Sequence, residues 1–184
     1  MKRLIDVLAS LAALALLSPL LVLAAAAIML DTGRPVIFSQ QRVGRGGGTF
    51  RMFKFRSMVK NAETIGPNHT ADDDSRITRT GRFLRRSSID ELPQLVNVLA
   101  GDMSLVGPRP DVPAQRTLYS ESQWALRCSV RPGVTGLAQA ELRSEATLGE
   151  RIALDLQYAQ AASVWLDLKI IAWTVLRLAR SKAN

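Results

Sequence analysis

The sequence predicts an α+β, mainly helical protein that enters a membrane from one side without crossing it. Three observations lead to this prediction: a long apolar run near the start, two short strand-like stretches around a glycine-rich turn, and helical periodicity in the last third of the chain. The 184 residues suffice for one folded unit. Their net charge of +8 implies an anionic partner, and charge alone leaves nucleic acid, an anionic membrane surface and a phosphorylated substrate open.

The first predicted element is an apolar helix from Leu4 to Leu30. Residues 7–30 would extend ~36 Å as a helix, enough to cross a bilayer core of roughly 30 Å. Pro19 has no amide hydrogen and clashes with the carbonyl one turn earlier, so we expect a break at Ser18-Pro19, with the Ser18 hydroxyl available to a freed backbone group. Basic residues flank the run on both sides, and such flanks prefer the cytoplasm. Residues 1–31 are therefore predicted to form a re-entrant membrane helix, which makes the protein monotopic.

Two other interpretations of this run stay open. A single transmembrane anchor ranks second, because many spanning helices contain a proline. A signal peptide ranks third, since the alanines at 24–27 could form a cleavage site. It would leave a strongly basic secreted domain whose single cysteine, Cys128, cannot form an intrachain disulfide.

A small β-hairpin is predicted next. Val36–Phe38 and Thr49–Phe55 are rich in β-branched and aromatic residues, and glycines at 44 and 46–48 separate them. No Gly-Lys-Ser/Thr tripeptide follows these glycines, so they predict a turn rather than a Walker-type phosphate loop. Lys54 and Arg56 face an anionic substrate, lipid head groups or solvent, and the sequence does not decide among them.

An exposed loop and an arginine-rich segment follow the hairpin. The loop, residues 61–75, contains aspartates at 72–74 that lack the alternating spacing of a calcium loop, so we leave them out of the site. Forked guanidinium groups bind phosphate in a bidentate way and would also bind nucleic acid. The arginines of this segment are Arg76, Arg79, Arg82, Arg85 and Arg86.

The most informative stretch runs from Ser88 to Pro110. Ser88 is predicted to cap a helix whose first turn holds Asp90 and Glu91, and this structural interpretation explains the two carboxylates as well as a functional one does. In the functional interpretation, one carboxylate beside the arginines acts as a nucleophile while the other holds a magnesium ion at the phosphate oxygens. Because the chain has one histidine, His69, and one cysteine, any metal must be a hard cation held by oxygen.

Ordered motifs extend over nearly the whole chain. They are Ser18-Pro19, Arg42-Val43-Gly44, Lys54 to Met58, Arg76 to Arg79, Asp90 to Gln94, Asn97, Gly101 to Leu105, Gly107 to Pro110, Arg131 to Gly136 and Leu166 to Lys169. Together they resemble the bacterial sugar transferase family, the small monotopic phosphoglycosyl transferases. Chance agreement at so many ordered motifs is remote.

The resemblance implies a two-step transfer reaction. The Asp90 carboxylate attacks the β-phosphate of a UDP-sugar, UMP leaves, and a polyprenol phosphate (undecaprenyl phosphate) accepts the sugar phosphate from the covalent intermediate. By the same matching, Glu91 coordinates Mg²⁺, Arg85 contacts phosphate and Arg109 grips the nucleotide. The candidate substrate-binding residues are Arg85, Pro108, Arg109, Pro110 and Asp155.

The resemblance also implies a location. Residues 32–184 are expected to form a membrane-associated catalytic domain on the cytoplasmic face of the bacterial inner membrane, in contact with membrane lipids, and to catalyse the first membrane step of glycoconjugate or exopolysaccharide synthesis. The chain reads Leu137-Ala138-Gln139 where many relatives carry an aromatic residue before the alanine. This departure leaves the sugar open, and the sequence also leaves monomer and homodimer open.

The last third of the chain is predicted to be helical. One helix is expected over Val112 to Leu126 and another from Glu150 almost to the end, with Trp165 among its apolar residues. The second helix either lies on an anionic membrane surface or forms a buried core, and both alternatives stay open. Asp167 is expected to be a local structural partner.

Two non-enzymatic classes compete with the transferase. A nucleic-acid-binding protein would explain the arginines but not the apolar start, and aromatic residues make up 5% of the chain, too few for stacking platforms. We therefore predict no nucleic-acid partner. A membrane-anchored adaptor leaves the stretch from Asp90 to Pro110 unexplained, and both classes predict that Asp90→Asn is silent.

Overall fold

The computed structural model describes residues 1–66, 74–142 and 147–181. Mixed helix and sheet confirm the predicted α+β class. The predicted loop aspartates 72 and 73, and His69, lie outside the described residues. The helices are α1 (Lys2–Thr32), α2 (Ala62–Ile65), α3 (Arg79–Arg86), α4 (Gln94–Ala100), α5 (Glu121–Arg127), α6 (Leu137–Glu141), α7 (Leu148–Ala161) and α8 (Val164–Ser181). The strands are β1 (Ile37–Val43), β2 (Thr49–Phe55), β3 (Ser104–Val106) and β4 (Gly133–Thr135).

The predicted β-hairpin is confirmed. Strands β1 and β2 pair antiparallel, with Ile37 opposite Phe55 and Val43 opposite Thr49. The first strand is longer than the predicted Val36–Phe38, because main-chain pairing with β2 holds the polar residues 39–42 in extended form although their side chains give no strand signal. Strands β3 and β4 form a separate parallel pair.

Helix α1 is long and apolar enough to cross a membrane, judged by length and composition. The helix continues through Pro19. Because Pro19 has no amide hydrogen, it cannot donate to the carbonyl of Ala15, and the Ser18 hydroxyl donates to that carbonyl instead, at 2.8 Å. The hydroxyl therefore has the role that the sequence predicted for it.

The N-terminal end of α1 is bonded to the rest of the protein. The Asp6 carboxylate accepts hydrogen bonds from the Ser104 hydroxyl at 2.9 Å and the Leu105 amide at 3.1 Å. Arg3 donates to the last carbonyls of α4, those of Val98 at 2.6 Å and Leu99 at 3.1 Å, and so caps that helix.

A further bond at this end extends one expectation. Asp167 of α8 is a structural partner, as expected, and it also pairs with Lys2, 165 positions away. Tyr158 also donates to Asp167, at 2.6 Å. The network joins the first turn of the protein to its last helix.

The C-terminal half of α1 contributes to a hydrophobic core. Ala24 and Ile28 are buried with Phe55 of β2 and Leu84 of α3. Just beyond the helix, Arg56 donates to the Gly33 carbonyl at 2.6 Å. Residues on both sides of the predicted boundary at 31/32 thus share one core, and that boundary stays a prediction.

Both predicted C-terminal helices are interrupted. Residues 112–126 form a 3-10 turn, Pro113–Leu118, followed by α5, because the Ser120 hydroxyl accepts from the Gln123 amide and starts a new helix. The second helix divides into α7 and α8 at residues 162–163. Helix α8 buries Ile170 on one side, whereas the side chain of Trp165 is 83% exposed. Helix α8 therefore has one buried and one exposed face, and its position on a membrane surface stays a prediction.

Candidate active site

The acidic pair Asp90-Glu91 lies in a 3-10 turn, Ile89–Glu91, between α3 and α4. Ser88 lies at the N-cap position of this turn, as predicted, but it adopts a left-handed conformation with φ 56° and makes no side-chain cap hydrogen bond. Helix α4 begins only at Gln94, after Pro93, because a residue without an amide hydrogen suits the start of a helix rather than its interior. The carboxylates therefore lie in the first turn of a short 3-10 helix, which ends before α4 begins.

Asp90 is almost fully buried, with 7% of its surface exposed. Burial and the neighbouring Glu91 charge raise its pKa to about 6, while Lys54, Arg85 and Arg109 act in the opposite direction. At neutral pH the carboxylate is ionised but poorly solvated, a combination that suits a nucleophile.

Glu91 is held by two cations. Its Oε1 accepts hydrogen bonds from Lys54 Nζ at 2.6 Å and from Arg109 Nη2 at 2.8 Å. Burial alone would raise the pKa of Glu91, but Arg109 and Lys54 outweigh it and lower the pKa to about 2. Burial in turn lowers the pKa of Lys54, and Glu91 opposes that shift. The pair therefore holds two carboxylates with well-separated pKa values.

Arg109 projects from a segment that its two prolines hold in place. Pro108 and Pro110 are buried, whereas 44% of the Arg109 side chain is exposed. The Pro108 carbonyl accepts from the Gly133 amide at 2.9 Å, and the Pro110 carbonyl accepts from Arg42 at 2.9 Å. The structure thus brings Arg109 to Glu91. The hydrogen bonds to the two flanking prolines hold the backbone on either side of Arg109.

The arginine-rich segment divides into different environments. Arg85, in the last turn of α3, is half-buried and close enough to Asp90 to lower its pKa. Arg76 instead binds the Asp74 carboxylate at 2.7 Å and the Ala62 carbonyl at 2.8 Å. Arg79, Arg82 and Arg86 are exposed on α3. Of this segment, Arg85 is the member that the structure places beside the acidic pair.

Asp155 of α7 is buried. Its Oδ2 accepts from Arg127 Nη2 at 3.3 Å, and Arg127 also donates to the Arg109 carbonyl. Burial raises the pKa of Asp155 to about 6, with Arg127 opposing. Its contact with the Arg109 segment runs through Arg127, and its predicted role in substrate binding stays a prediction.

Lys54 is a site residue that sequence reasoning left undecided. The alternation along β2 gave a signal: Met52, two residues earlier, is buried, so Lys54 lies on an inward face.

Asn97 is a second residue whose role the sequence left undecided. Its side chain donates to the Arg51 carbonyl at 2.7 Å and accepts from the Phe53 amide at 2.9 Å, which attaches β2 to α4.

The fold and the site define a class of protein: one with a long apolar helix and a buried acidic pair among cations that suit phosphate. A sequence model of the family described as "Bacterial sugar transferase" matches residues 1–181, and the chain belongs to this family.

Curated relatives agree with this membership. The chain is 47% identical over 181 residues to "UDP-glucose:undecaprenyl-phosphate glucose-1-phosphate transferase" of Caulobacter vibrioides, covering 95% of this chain and 68% of that protein. It is 47% identical over 187 residues to "Undecaprenyl-phosphate glucose phosphotransferase" of Komagataeibacter xylinus, covering 96% of this chain but 35% of that protein. "Uncharacterized sugar transferase EpsL" of Bacillus subtilis is 42% identical, covering 97% of this chain and 87% of that protein. The chain thus spans from about a third to most of the length of these relatives.

Proposed function

We propose that this protein transfers a sugar 1-phosphate from a UDP-sugar to a polyprenol phosphate, undecaprenyl phosphate, with release of UMP. The observation that carries the proposal is the buried Asp90 carboxylate beside the ionised, cation-bound Glu91. The substrate classes come from the names of the relatives, which combine a UDP-sugar with undecaprenyl phosphate. The product would feed glycoconjugate or exopolysaccharide synthesis.

The reaction proceeds in two displacements at one phosphorus atom. An Asp90 carboxylate oxygen attacks the β-phosphorus of the UDP-sugar, and the bond from that phosphorus to the α,β-bridging oxygen breaks. UMP leaves with the electron pair, and an aspartyl sugar-phosphate remains. A phosphate oxygen of the polyprenol phosphate then attacks the same phosphorus, which regenerates the free carboxylate.

The cations around the acidic pair support this chemistry. Arg85 and Arg109 carry positive charge close enough to Asp90 to lower its pKa. A diphosphate drawn to them would place its β-phosphorus near the carboxylate, and charge that develops on phosphate oxygens in the transition state would be stabilised. Glu91 neutralises part of the charge of Lys54 and Arg109 in the free site.

A magnesium ion fits this donor set. Glu91 is ionised, both cations contact its Oε1, and within the described ranges no hydrogen-bond partner reaches Oε2. Mg²⁺ accepts one or two carboxylates together with water and substrate phosphates. Glu91 would hold the ion once a diphosphate adds negative charge to the site. When bound, the ion would supply Lewis-acid stabilisation to the phosphate oxygens.

The contacts of α1 support a re-entrant course. Arg3 binds the carbonyl of Val98, which packs with Met52, while Ile28 packs with Phe55. Met52 and Phe55 are three residues apart on β2, about 10 Å. A straight helix would separate Arg3 and Ile28 by ~37 Å, whereas a bend at Pro19 brings both ends to one side. We place that side in the cytoplasm because basic residues flank both ends.

Exposed side chains beside α1 support a membrane-facing surface. The middle of α1 exposes Leu16, Val22 and Leu23, which suits burial in hydrocarbon. Helix α3, which packs on α1 through Leu84, turns Phe83 and three arginines outward. Aromatic and basic side chains together suit the head-group layer of an anionic membrane. A polyprenol phosphate would reach Asp90 from this layer.

The test is UMP release by the purified protein with Mg²⁺, undecaprenyl phosphate and a panel of UDP-sugars. We expect release with at least one sugar, loss of release in Asp90→Asn, and normal release in the control Glu121→Gln, whose carboxylate is 93% exposed. Mass spectrometry of the intact protein without acceptor should detect the sugar-phosphate adduct in wild type and not in Asp90→Asn. Full activity of Asp90→Asn would refute the nucleophile assignment.

A further inference from the structure

Four consecutive carbonyls, from Pro108 to Asp111, each accept a hydrogen bond from another part of the protein. Gly133 of β4 donates to Pro108, and Val43 of β1 donates to Asp111 at 2.8 Å. Arg42 donates to Pro110 and Arg127 to Arg109. We call residues 108–111 the anchored segment. Its backbone is held from several sides, which directs the Arg109 side chain toward Glu91.

The bond to Arg109 comes from a buried arginine at the end of α5. The Arg127 side chain is 3% exposed, and its Nη2 also lies 3.2 Å from Asp111 Oδ2 and 3.3 Å from Asp155 Oδ2. Its guanidinium lies 5.4 Å from the centre of the Tyr119 ring. Two carboxylates and an aromatic face thus compensate the burial of this cation. Its orientation is therefore determined before any ligand arrives.

Arg127 contacts the anchored segment at two points. It binds the Arg109 carbonyl directly and the Asp111 carboxylate two residues later. The Asp111 carboxylate is itself held by the Tyr119 hydroxyl at 2.7 Å. Arg127 does not contact the acidic pair, so any effect on the chemistry must pass through the segment.

We propose that Arg127 is a positioning residue that sets the Arg109 guanidinium against Glu91 and, through it, against the substrate diphosphate. The catalytic part of this inference rests on the proposed function, whereas the structural part does not. Lysine at position 127 would keep a charge for Asp111 and Asp155 but cannot present a planar fork to both a carboxylate and a backbone carbonyl. Arg127→Lys therefore keeps the positive charge at position 127 and removes the planar guanidinium geometry.

The first test measures hydrogen exchange in the full-length protein. The amides of Val43 and Gly133 donate to the anchored segment, so we expect them to exchange at least tenfold faster in Arg127→Lys. The hairpin amide of Phe38 should be unchanged, because it lies on the opposite side of β1 from the Val43 amide and is directed at β2. The matched control is Arg45→Lys, in which an exposed arginine that donates to the Ser129 carbonyl is replaced. Unchanged exchange at Val43 and Gly133 would overturn the proposal.

The second test is a double-mutant cycle on kcat/KM for UMP release. We expect Arg127→Lys to lower kcat/KM at least tenfold in the wild-type background and less than twofold in Arg109→Met, because its effect passes through Arg109. An equal loss in both backgrounds would mean a general structural role and would overturn the proposal. If Arg127→Lys fails to fold, Arg127→Gln takes its place in both tests. Absence of UMP release from wild type would count against the proposed function alone, and the exchange result would still decide the positioning role.

Discussion

Lys54 on strand β2 donates a hydrogen bond to Glu91 Oε1 across 2.6 Å, which joins the hairpin to the turn that holds Asp90. The lysine stabilises the charge on Glu91 and lowers the pKa of Asp90. A residue of the hairpin therefore tunes both members of the acidic pair.

Replacing Lys54 by methionine should shift the pH dependence of activity. Without its charge the pKa of Asp90 rises further above about 6, so the acid limb of kcat/KM moves to higher pH. Loss of a hydrogen bond to a charged group should also lower the free energy of unfolding by about 2 kcal/mol. A pH–rate profile and chemical denaturation measure the two effects. The exposed Lys60→Met should change neither, and an unshifted acid limb in Lys54→Met would contradict the assignment.

Asp90→Asn should stabilise the protein at neutral and alkaline pH. The pKa of Asp90 is raised from 3.8 to about 6 in the folded protein. As pH rises, Asp90 therefore ionises at lower pH in the unfolded chain than in the folded one, and the free energy of unfolding falls between pH 3.8 and about pH 6. A two-unit shift corresponds to about 3 kcal/mol, which the asparagine variant regains above pH 6 and not below pH 4. Thermal unfolding of both proteins at pH 3.5 and pH 8 measures the difference. A variant less stable than wild type at pH 8 would contradict the raised pKa.

Asn97→Leu should destabilise the protein strongly. The Asn97 side chain bonds two main-chain groups of β2, the Arg51 carbonyl and the Phe53 amide, and leucine leaves both without that partner. We expect a loss of about 2 to 4 kcal/mol by urea denaturation. The neighbouring control Val96→Ala, at a site 46% exposed, should change stability by about 0.5 kcal/mol or less. Equal effects at the two positions would show that the bonds to β2 contribute little.

Cysteine labelling should place both ends of α1 on the cytoplasmic side of the membrane. We would replace the buried Cys128 by serine and add single cysteines before Met1, at Thr49, and at Leu16 in the exposed middle of the helix. In intact cells a membrane-impermeant maleimide should label none of the three. In inverted vesicles it should label the first two and leave Leu16→Cys protected by hydrocarbon. Labelling of the first and second cysteines from opposite sides would establish a spanning helix.

Local signals predicted much of the fold. The apolar run, the hairpin and the role of the Ser18 hydroxyl followed from residue type and spacing, because each depends on neighbours within one turn or one strand. The predicted ends of the helices were less accurate. Ser120 starts a new helix inside a helical pattern, and Ser88 makes no side-chain cap hydrogen bond despite its suitable residue type.

The site was predictable in part. Asp90, Glu91, Arg85 and Arg109 come together, as the sequence motifs suggested. The role of Lys54 was left undecided and Arg127 escaped notice, because their partners lie 37 and 18 residues away, on other elements. Long-range pairing of buried charges leaves no periodic signal, and only the tertiary structure reveals it.

The contacts that Asp6 and Ile28 make with the rest of the protein limit how freely α1 can be exchanged for another helix. Asp6 completes the hydrogen bonding of Ser104 and Leu105, and Ile28 fills a core shared with Phe55 and Leu84. A chimera in which an unrelated anchor of equal length replaced α1 would still insert into a membrane, but it would leave polar groups unsatisfied and a core unfilled. Shuffling of anchors between relatives should therefore succeed only when the contacting residues of both parts are exchanged together.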